Sequence, residues 1–291
     1  MKTHDNGQRT TDNGQRLGFT LIELLVVMAI IAVLASLISA AVFSALKNAE
    51  VTRASSDISQ LSTSLESFKS KFSLKRYPPS QIRLRENGAY TTTNALDVES
   101  ARFIQEWWPR ITYPVDWNGD GVANQVHDLQ GDQALVFWLG GIPRGTPPVP
   151  AGFSVDPRNP ALATGDQIQP FFEFRTNRLT ARAAGSRFLS YTDAYNKRPY
   201  AYFSAYRAGN DYMNDCPALG VTPYFETGTG TSITNPRRYF KPDSFQIISA
   251  GRDGVFGPGG AWSPRNASSI NANGRDDQSS FHDSLMGVTR N

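Results

Sequence analysis

The sequence predicts an α+β fold in which one long N-terminal helix packs on an antiparallel β-sheet head with long loop insertions. Three patterns support this fold class: an apolar run over residues 19–46, an apolar stripe that continues at helical spacing up to Phe72, and short aromatic or β-branched runs separated by turn residues. The first two patterns are typical of a helix, and the third is typical of short strands. A chain of 291 residues is long enough to bury a core of this kind.

Residues 19–46 are predicted to be the transmembrane and filament-core part of the helix. At about 1.5 Å per residue the run is long enough to cross a bilayer. Arg9 and Arg16 precede it, and positive charge on that side places the N-terminus in the cytoplasm and the remainder outside. One carboxylate, Glu23, lies near the start of the run. An ionisable residue inside a membrane helix is costly, so Glu23 is a candidate functional residue.

Residues 1–18 are predicted to be a cleaved leader peptide. They are polar, carry Gly and Asn, and offer no apolar face that could be buried. A secretory signal peptide has its apolar stretch before the cleavage site, whereas the plausible cut here, between Gly18 and Phe19, comes before the apolar run. The mature protein would therefore keep that run.

The stretch Gly-Phe-Thr-Leu-Ile-Glu from Gly18 to Glu23, followed by the apolar run, resembles the type IV prepilin signature. The resemblance is to type IV pilins and type II secretion pseudopilins. It implies that prepilin peptidase cleaves after Gly18 and methylates the new amine on Phe19. It also implies that Glu23 pairs with the amine of a neighbouring subunit. Many pilins carry a proline further along this helix, where this sequence has Ala40, so no kink is demanded.

The same resemblance implies a structural subunit of a type IV pilus-like or type II secretion pseudopilus filament. Its partners would be prepilin peptidase, other pilin or pseudopilin subunits in a homo- or hetero-filament, and the inner-membrane assembly platform. The implied location is a single pass through the inner membrane with a periplasmic head, followed by a periplasmic or extracellular filament. The choice between the two machines, and between a major and a minor subunit, stays open.

Residues 47–74 are predicted to continue the helix as an amphipathic half packed on the head. Its apolar positions alternate in steps of three and four: Val51, Ala54, Ile58, Leu61, Leu65, Phe68 and Phe72. This spacing gives a helix one apolar face. A coiled coil is the alternative, but a stripe that ends in two phenylalanines fits better against a sheet. The Tyr-Pro-Pro-Ser stretch at 77–80 is predicted to terminate the helix.

Residues 75–291 are predicted to form a globular α+β head. Turn-rich stretches separate four strand-like runs, at 134–140, 170–175, 199–206 and 245–251. The stretches around the first, third and fourth runs resemble the large pilin-like proteins of planctomycete-type bacteria. That resemblance implies a filament subunit and fixes no substrate.

Composition argues against catalysis and against a polyanion partner. Cys216 is the only cysteine and lies in a turn-rich stretch, so it is interpreted as structural. The three histidines come without a recognisable base motif, and a Gly-x-Ser-x-Gly element is absent from the sequence. The chain is therefore not expected to be an enzyme, and a pilin-anchored periplasmic enzyme is the third hypothesis. The net charge is only +3 with scattered basic residues, so no nucleic acid is expected, although an adhesive or DNA-binding minor pilin is the second hypothesis.

Two acidic loops are candidate calcium sites, so calcium is the possible cofactor at one or two sites. The first loop resembles the first half of an EF-hand or dockerin loop, with oxygen ligands at alternate positions before Gly121. Its candidate ligands are Asp116, Asn118, Asp120, Asn124 and Asp128. The twelfth position is His127, so either Asp128 supplies the last carboxylate or the site is incomplete. A plain Asx/Gly turn is the alternative.

The second acidic loop follows the last predicted strand. It resembles the calcium loop of the major type II secretion pseudopilin. The resemblance implies that Asp253, Asp276 and Asp277, with Ser249, hold one Ca²⁺ that orders the C-terminal loop. All of these predicted ligands have oxygen donor atoms, which favours calcium over zinc. The insertion between the two halves of this loop is longer here than in that family.

Overall fold

The computed structural model describes residues 19–226 and 237–289. The predicted leader 1–18, including Gly18, lies outside the described residues. The chain divides into two compact units, Met1–Ala49 and Glu50–Asn291. The boundaries predicted after residues 18, 46 and 74 stay predictions.

Helix α1 spans Leu21–Lys71 and is the longest element of the described chain. In the second unit its apolar stripe is confirmed, because the side chains at the predicted helical spacing are buried: Ala54, Ile58, Leu61, Leu65 and Phe68. The stripe meets an aromatic core, where the Phe68 ring lies 4.5 Å from the Trp107 ring in an edge-on contact. Apolar burial of this kind holds the amphipathic part of α1 in the second unit.

The end of α1 comes earlier than the predicted stop at residues 77–80. Ser73 adopts a left-handed conformation with φ 52°, its N–H donates to Ser70 O, and the N–H of Leu74 donates to Lys69 O. These bonds form a Schellman motif, which satisfies the last helical carbonyls without a proline. The prediction that Tyr-Pro-Pro-Ser ends the helix is therefore wrong: that stretch is a buried connection beyond the end.

Residues 134–140 were predicted as a strand and are instead part of helix α3, Gly131–Gly140. Every residue of α3 is buried. A helix that is apolar all round lies inside a core, and a short apolar run does not by its period distinguish such a helix from a buried strand. The Trp138 indole donates a 2.8 Å hydrogen bond to Pro79 O, which ties α3 to the connection after α1.

Helix α2, Ala95–Trp107, was not predicted from the sequence. Its N-cap is Asn94, whose side-chain oxygen accepts hydrogen bonds from the N–H groups of Leu96 and Asp97. Asparagine is among the preferred N-cap residues. Phe103 and Trp107 bring α2 to the aromatic core beside α1.

The strands of the described chain are short and belong to several small sheets. In chain order they are β1 Ile82–Arg85, β2 Val126–Leu129, β3 Pro143–Arg144, β4 Val149–Pro150, β5 Phe153–Ser154, β6 Gln167–Ile168, β7 Leu179–Ala181, β8 Leu189–Tyr191, β9 Ala201–Ser204, β10 Tyr224–Glu226, β11 Arg238–Tyr239, β12 Phe245–Ser249, β13 Gly260–Ala261 and β14 Gln278–Ser279. Strand β12 lies between β14 and β9 and is antiparallel to both. Strand β10 pairs with β11 in antiparallel and with β13 in parallel orientation. The remaining pairs, β1–β2, β3–β4, β5–β6 and β7–β8, are antiparallel.

Two of the four predicted strand regions are confirmed, since β9 falls within 199–206 and β12 within 245–251. The prediction for 170–175 is wrong: that segment has no regular structure, yet it buries Phe172 and Phe174 against Tyr191. Its aromatic side chains provide packing without a strand partner. The fold class is α+β as predicted, because one long N-terminal helix and small, mainly antiparallel sheets fit a pilin-like fold.

Candidate functional site

The first part of α1 exposes its apolar side chains to the surroundings. Leu21 is 81% exposed and Phe43 is 67% exposed, and most large apolar residues between them are exposed as well. Among the described residues α1 alone is long and apolar enough to cross a membrane, with a mean hydropathy of 2.9 in its most apolar window. A contiguous apolar surface of this size is typical of a segment that contacts lipid or other helices.

The N-terminus of α1 is closed by a reciprocal hydrogen-bonded pair. The Thr20 backbone N–H donates a 2.9 Å hydrogen bond to Glu23 Oε2, and the Thr20 hydroxyl donates to the same oxygen at 2.8 Å. In return the Glu23 N–H donates to Thr20 Oγ1 at 3.3 Å. This is a capping box, in which the side chains of the N-cap and the third helical residue satisfy each other's backbone groups.

The capping box gives Glu23 a defined position at the start of the apolar helix. All of its bonds within the described chain use Oε2, so Oε1 can accept a donor from outside the chain. Thr20 directly follows Phe19, the predicted first residue of the mature protein, while Gly18 lies outside the described residues. Glu23 was predicted from the sequence and Thr20 was not, although Thr-x-x-Glu before an apolar run is a recognised signal for this cap.

The first acidic loop is held by its own hydrogen bonds. Asp116 accepts from the N–H groups of Gly119, Asp120 and Gly121, at 2.7, 3.2 and 2.8 Å. Asp120 accepts from the Val122 N–H at 2.7 Å and from the Asn118 side chain at 2.9 Å, and these two bonds lower the Asp120 pKa. The structure thus brings three of the five predicted ligands together.

The other two predicted ligands of this loop lie elsewhere. Asp128 is on β2, where both of its carboxylate oxygens accept 2.6 Å hydrogen bonds from the Arg83 guanidinium. His127, at the twelfth loop position, lies 3.1 Å from Glu86. Asn124 is exposed between the loop and β2. Asp128 is therefore engaged with Arg83 and lies outside the loop.

In the second acidic loop, Asp276 joins the two ends of the insertion. Its Oδ2 accepts hydrogen bonds from the N–H of Arg252 at 2.7 Å and from the N–H of Asp253 at 2.9 Å. Asp253 accepts from the N–H of Val255 at 2.7 Å. The two bonds of Asp276 connect residues that are more than twenty positions apart in the chain. The Asp276 carboxylate therefore orders the loop directly.

Asp277 lies beneath this loop and is fully buried. Its Oδ2 accepts from the Gly257 N–H at 2.9 Å, while its Oδ1 has no hydrogen-bond partner among residues 19–226 and 237–289. Burial raises the pKa of Asp277 to about 8, and the nearby carboxylates of Asp276 and Asp253 add to this rise. Ser249 donates instead to Asp193, 2.9 Å away. Of the four predicted ligands, Asp253 and Asp276 are joined through the Asp253 N–H, both act electrostatically on Asp277, and Ser249 is hydrogen-bonded to Asp193.

Within the described chain, no group of three or more His, Cys, Asp or Glu side chains is arranged to hold a metal ion. In both loops the carboxylates accept hydrogen bonds mainly from backbone N–H groups. Cys216 is buried, its thiol lies 3.4 Å from Tyr202 O, and burial raises its pKa well above the ordinary value. A buried, protonated thiol is a poor nucleophile, in agreement with the structural role expected from the sequence.

A family model of the prokaryotic N-terminal methylation motif matches residues 14–39. No curated protein and no solved structure matches the chain. The matched range covers the Gly18–Phe19 bond, the Thr20–Glu23 capping box and the start of α1. The match confirms the type IV pilin and pseudopilin signature and indicates a precursor that prepilin peptidase processes. Together with the apolar helix it supports membrane anchoring, and it favours a structural subunit that assembles with other pilins over an enzyme.

Proposed function

We propose that this chain, which carries the N-terminal methylation signature of type IV pilins and pseudopilins, is a structural subunit of a filament assembled from the inner membrane. The filament is a type IV pilus or a type II secretion pseudopilus. The observation that carries the proposal is Glu23, a carboxylate held by Thr20 at the start of the exposed apolar part of α1. In this proposal the apolar surface is covered first by lipid and then by the helices of neighbouring subunits.

Glu23 acts in this proposal as a register key. Cleavage after Gly18 would create a positive amine on Phe19, and a Glu23 carboxylate in a bundle of apolar helices needs such a partner. A buried charge that loses its partner is strongly destabilising, so a subunit in the wrong register would be rejected. The capping box leaves Glu23 Oε1 directed to no donor of the described chain, and that oxygen is the one available to the amine of the next subunit.

The experiment compares Glu23→Leu with Ser39→Leu in the full chain, expressed in cells that contain a prepilin peptidase and an assembly platform. Both changes put leucine at a polar position of the same exposed helix. We expect both variants to be processed and retained in the membrane, but only Glu23→Leu to lose the filament fraction released by shearing. If Glu23→Leu assembles as well as the wild type, the register role of Glu23 is wrong.

We also propose calcium as a ligand of the C-terminal acidic loop. The buried Asp277 Oδ1, which has no hydrogen-bond partner in the described part of the chain, supports this proposal, because Asp276 and Asp253 are close enough to raise the Asp277 pKa. An all-oxygen donor set suits calcium, which when bound would offset the mutual repulsion of the three carboxylates. In the first loop the residues fit less well: Asp128 is held by Arg83, and the site would rest on Asp116, Asn118 and Asp120 with Asn124 through water.

A further inference from the structure

A groove follows one flank of α1 in the second unit. It consists of two adjoining clefts of about 590 and 400 Å³ that share Asp57, Gln60 and Arg175. The helix wall extends from residue 53 to residue 64, about 16 Å at 1.5 Å per residue. The opposite wall is formed largely by residues 171–178. The groove is therefore elongated along the helix.

We call this groove the flank groove, and its floor is fixed by an ion pair between the buried Arg178 and the half-buried Asp57. The Arg178 guanidinium lies 2.7 Å from Asp57 and 4.2 Å from the centre of the Tyr191 ring, and it also donates to Thr192 O. The Tyr200 hydroxyl donates to Asp57 at 3.1 Å. Because Asp57 and Arg178 satisfy each other, neither contributes an unbalanced charge to the groove.

The rim carries charges that the described chain does not balance. Arg53 and Arg175 are exposed and have no ion-pair partner among the described residues, and the same is true of Glu173. With the internal pair set aside, the rim is positive overall but of mixed sign. A mixed rim with the half-buried Phe171 ring beside it suits a protein surface better than a polyanion.

We propose that the flank groove binds a carboxylate-bearing surface of a second copy of this chain. The inference rests on the proposed function, in which copies are held side by side through the first part of α1. Complementary charge is present on the chain itself, since Glu106 and Asp166 are exposed carboxylates without an ion-pair partner in the described residues. Docking of such a carboxylate between Arg53 and Arg175 would align neighbouring heads along their helices.

The first test places a photo-crosslinking amino acid at Gln60, inside the groove, in the full chain in cells that assemble the filament. Ser55 is the control position, since it is exposed on the same helix but lies outside both clefts. We expect Gln60 to give a crosslinked dimer of this chain, with an acidic peptide of the second copy in the adduct, and Ser55 to give none. Adducts only with lipid or with another protein, or no adduct from assembled filaments, would overturn the proposal.

The second test reverses the rim charges with Arg53→Glu/Arg175→Glu. The matched control, Arg110→Glu/Arg265→Glu, makes the same change in net charge at exposed arginines outside both clefts. Like charges placed face to face are expected to lower the filament yield by roughly tenfold or more, while the control stays near wild type. Both variants should keep the wild-type melting temperature, because the altered arginines are exposed and unpaired in the described chain.

The outcomes separate this inference from the proposed function. Wild-type filaments with unaffected groove variants would overturn the flank-groove proposal and leave the proposed function intact. A wild-type chain that is never processed and never assembles would remove both.

Discussion

The Thr20 hydroxyl donates a 2.8 Å hydrogen bond to the Glu23 carboxylate, and the Glu23 N–H returns a bond of 3.3 Å to the same hydroxyl. This pair closes the first turn of an exposed apolar helix and orients the carboxylate on which the proposed assembly depends. A polar residue beside the cleavage site thereby acquires a physical role that is separate from recognition by the peptidase.

Replacing Thr20 tests the capping box. Thr20→Val keeps the shape of the side chain but removes the hydroxyl. Loss of an N-cap typically costs about 1 kcal/mol of helix stability, so we expect amide hydrogen exchange in the first turn of α1 to rise by about fivefold. Thr20→Ser retains the hydroxyl and should exchange like the wild type. Exchange measured by NMR on the full chain in detergent micelles decides the matter, and a valine variant with wild-type exchange would show that Thr20 does not stabilise the helix start.

Asp215 makes the stability of the second unit depend on pH. It is buried, accepts a 2.6 Å hydrogen bond from Ser80, and has its pKa raised by burial from 3.8 to about 6. A carboxyl whose folded pKa is above its unfolded value binds its proton more tightly when folded. Its stabilising contribution is therefore fully present below about pH 4 and is lost as the pH rises through about 6.

Asp215→Asn removes this titration and keeps an acceptor for Ser80. Between pH 4 and pH 7 the free energy of unfolding of the wild type is expected to fall, relative to that of the variant, by up to about 3 kcal/mol. Chemical denaturation of both chains in detergent across this range measures the difference. If the two stability profiles run parallel, the Asp215 carboxyl does not titrate on folding.

Calcium removal tests the acidic loops. We expect EDTA to lower the melting temperature of the full chain in detergent and calcium to restore it, because a ligand at a hundred times its Kd stabilises the folded state by about 2.7 kcal/mol. Asp276→Asn should abolish the response while keeping an acceptor for the N–H groups of Arg252 and Asp253. In the first loop, Asp116→Asn likewise removes a carboxylate while keeping an acceptor for the backbone N–H groups, so it tests the calcium response of that loop. An unchanged melting curve with EDTA would withdraw both calcium proposals.

Periodicity made α1 predictable, whereas short apolar runs did not specify their own structure. The stripe from Ala54 to Phe68 repeats over four turns, and only a helix with one buried face satisfies it. Residues 134–140 carry no such period because every side of α3 is buried, and their aromatic content favoured a strand. The C-terminal end of α1 depends on Ser73, which adopts a left-handed conformation. A serine in the sequence does not predict that conformation.

In the candidate site, too, some features were predictable from the sequence and others were not. Glu23 was predicted because a carboxylate in an apolar run is unusual, whereas the role of its partner Thr20 was not predicted, although the Thr-x-x-Glu spacing signals the capping box. The grouping of the acidic residues of the C-terminal loop as calcium ligands stays a prediction, and the sequence did not reveal that Asp276 ties the loop through backbone N–H groups or that Asp277 is buried. These roles depend on contacts between distant parts of the chain.

If the chain is a processed filament subunit, the identity of its first residue shows it. The measurement is intact-mass and N-terminal peptide mass spectrometry of the protein extracted from membranes and from sheared filaments. We expect Phe19 as the first residue with a methylated amine, in both fractions. Assembled protein that still begins at Met1, or that begins at a residue after the apolar run 19–46, would contradict it.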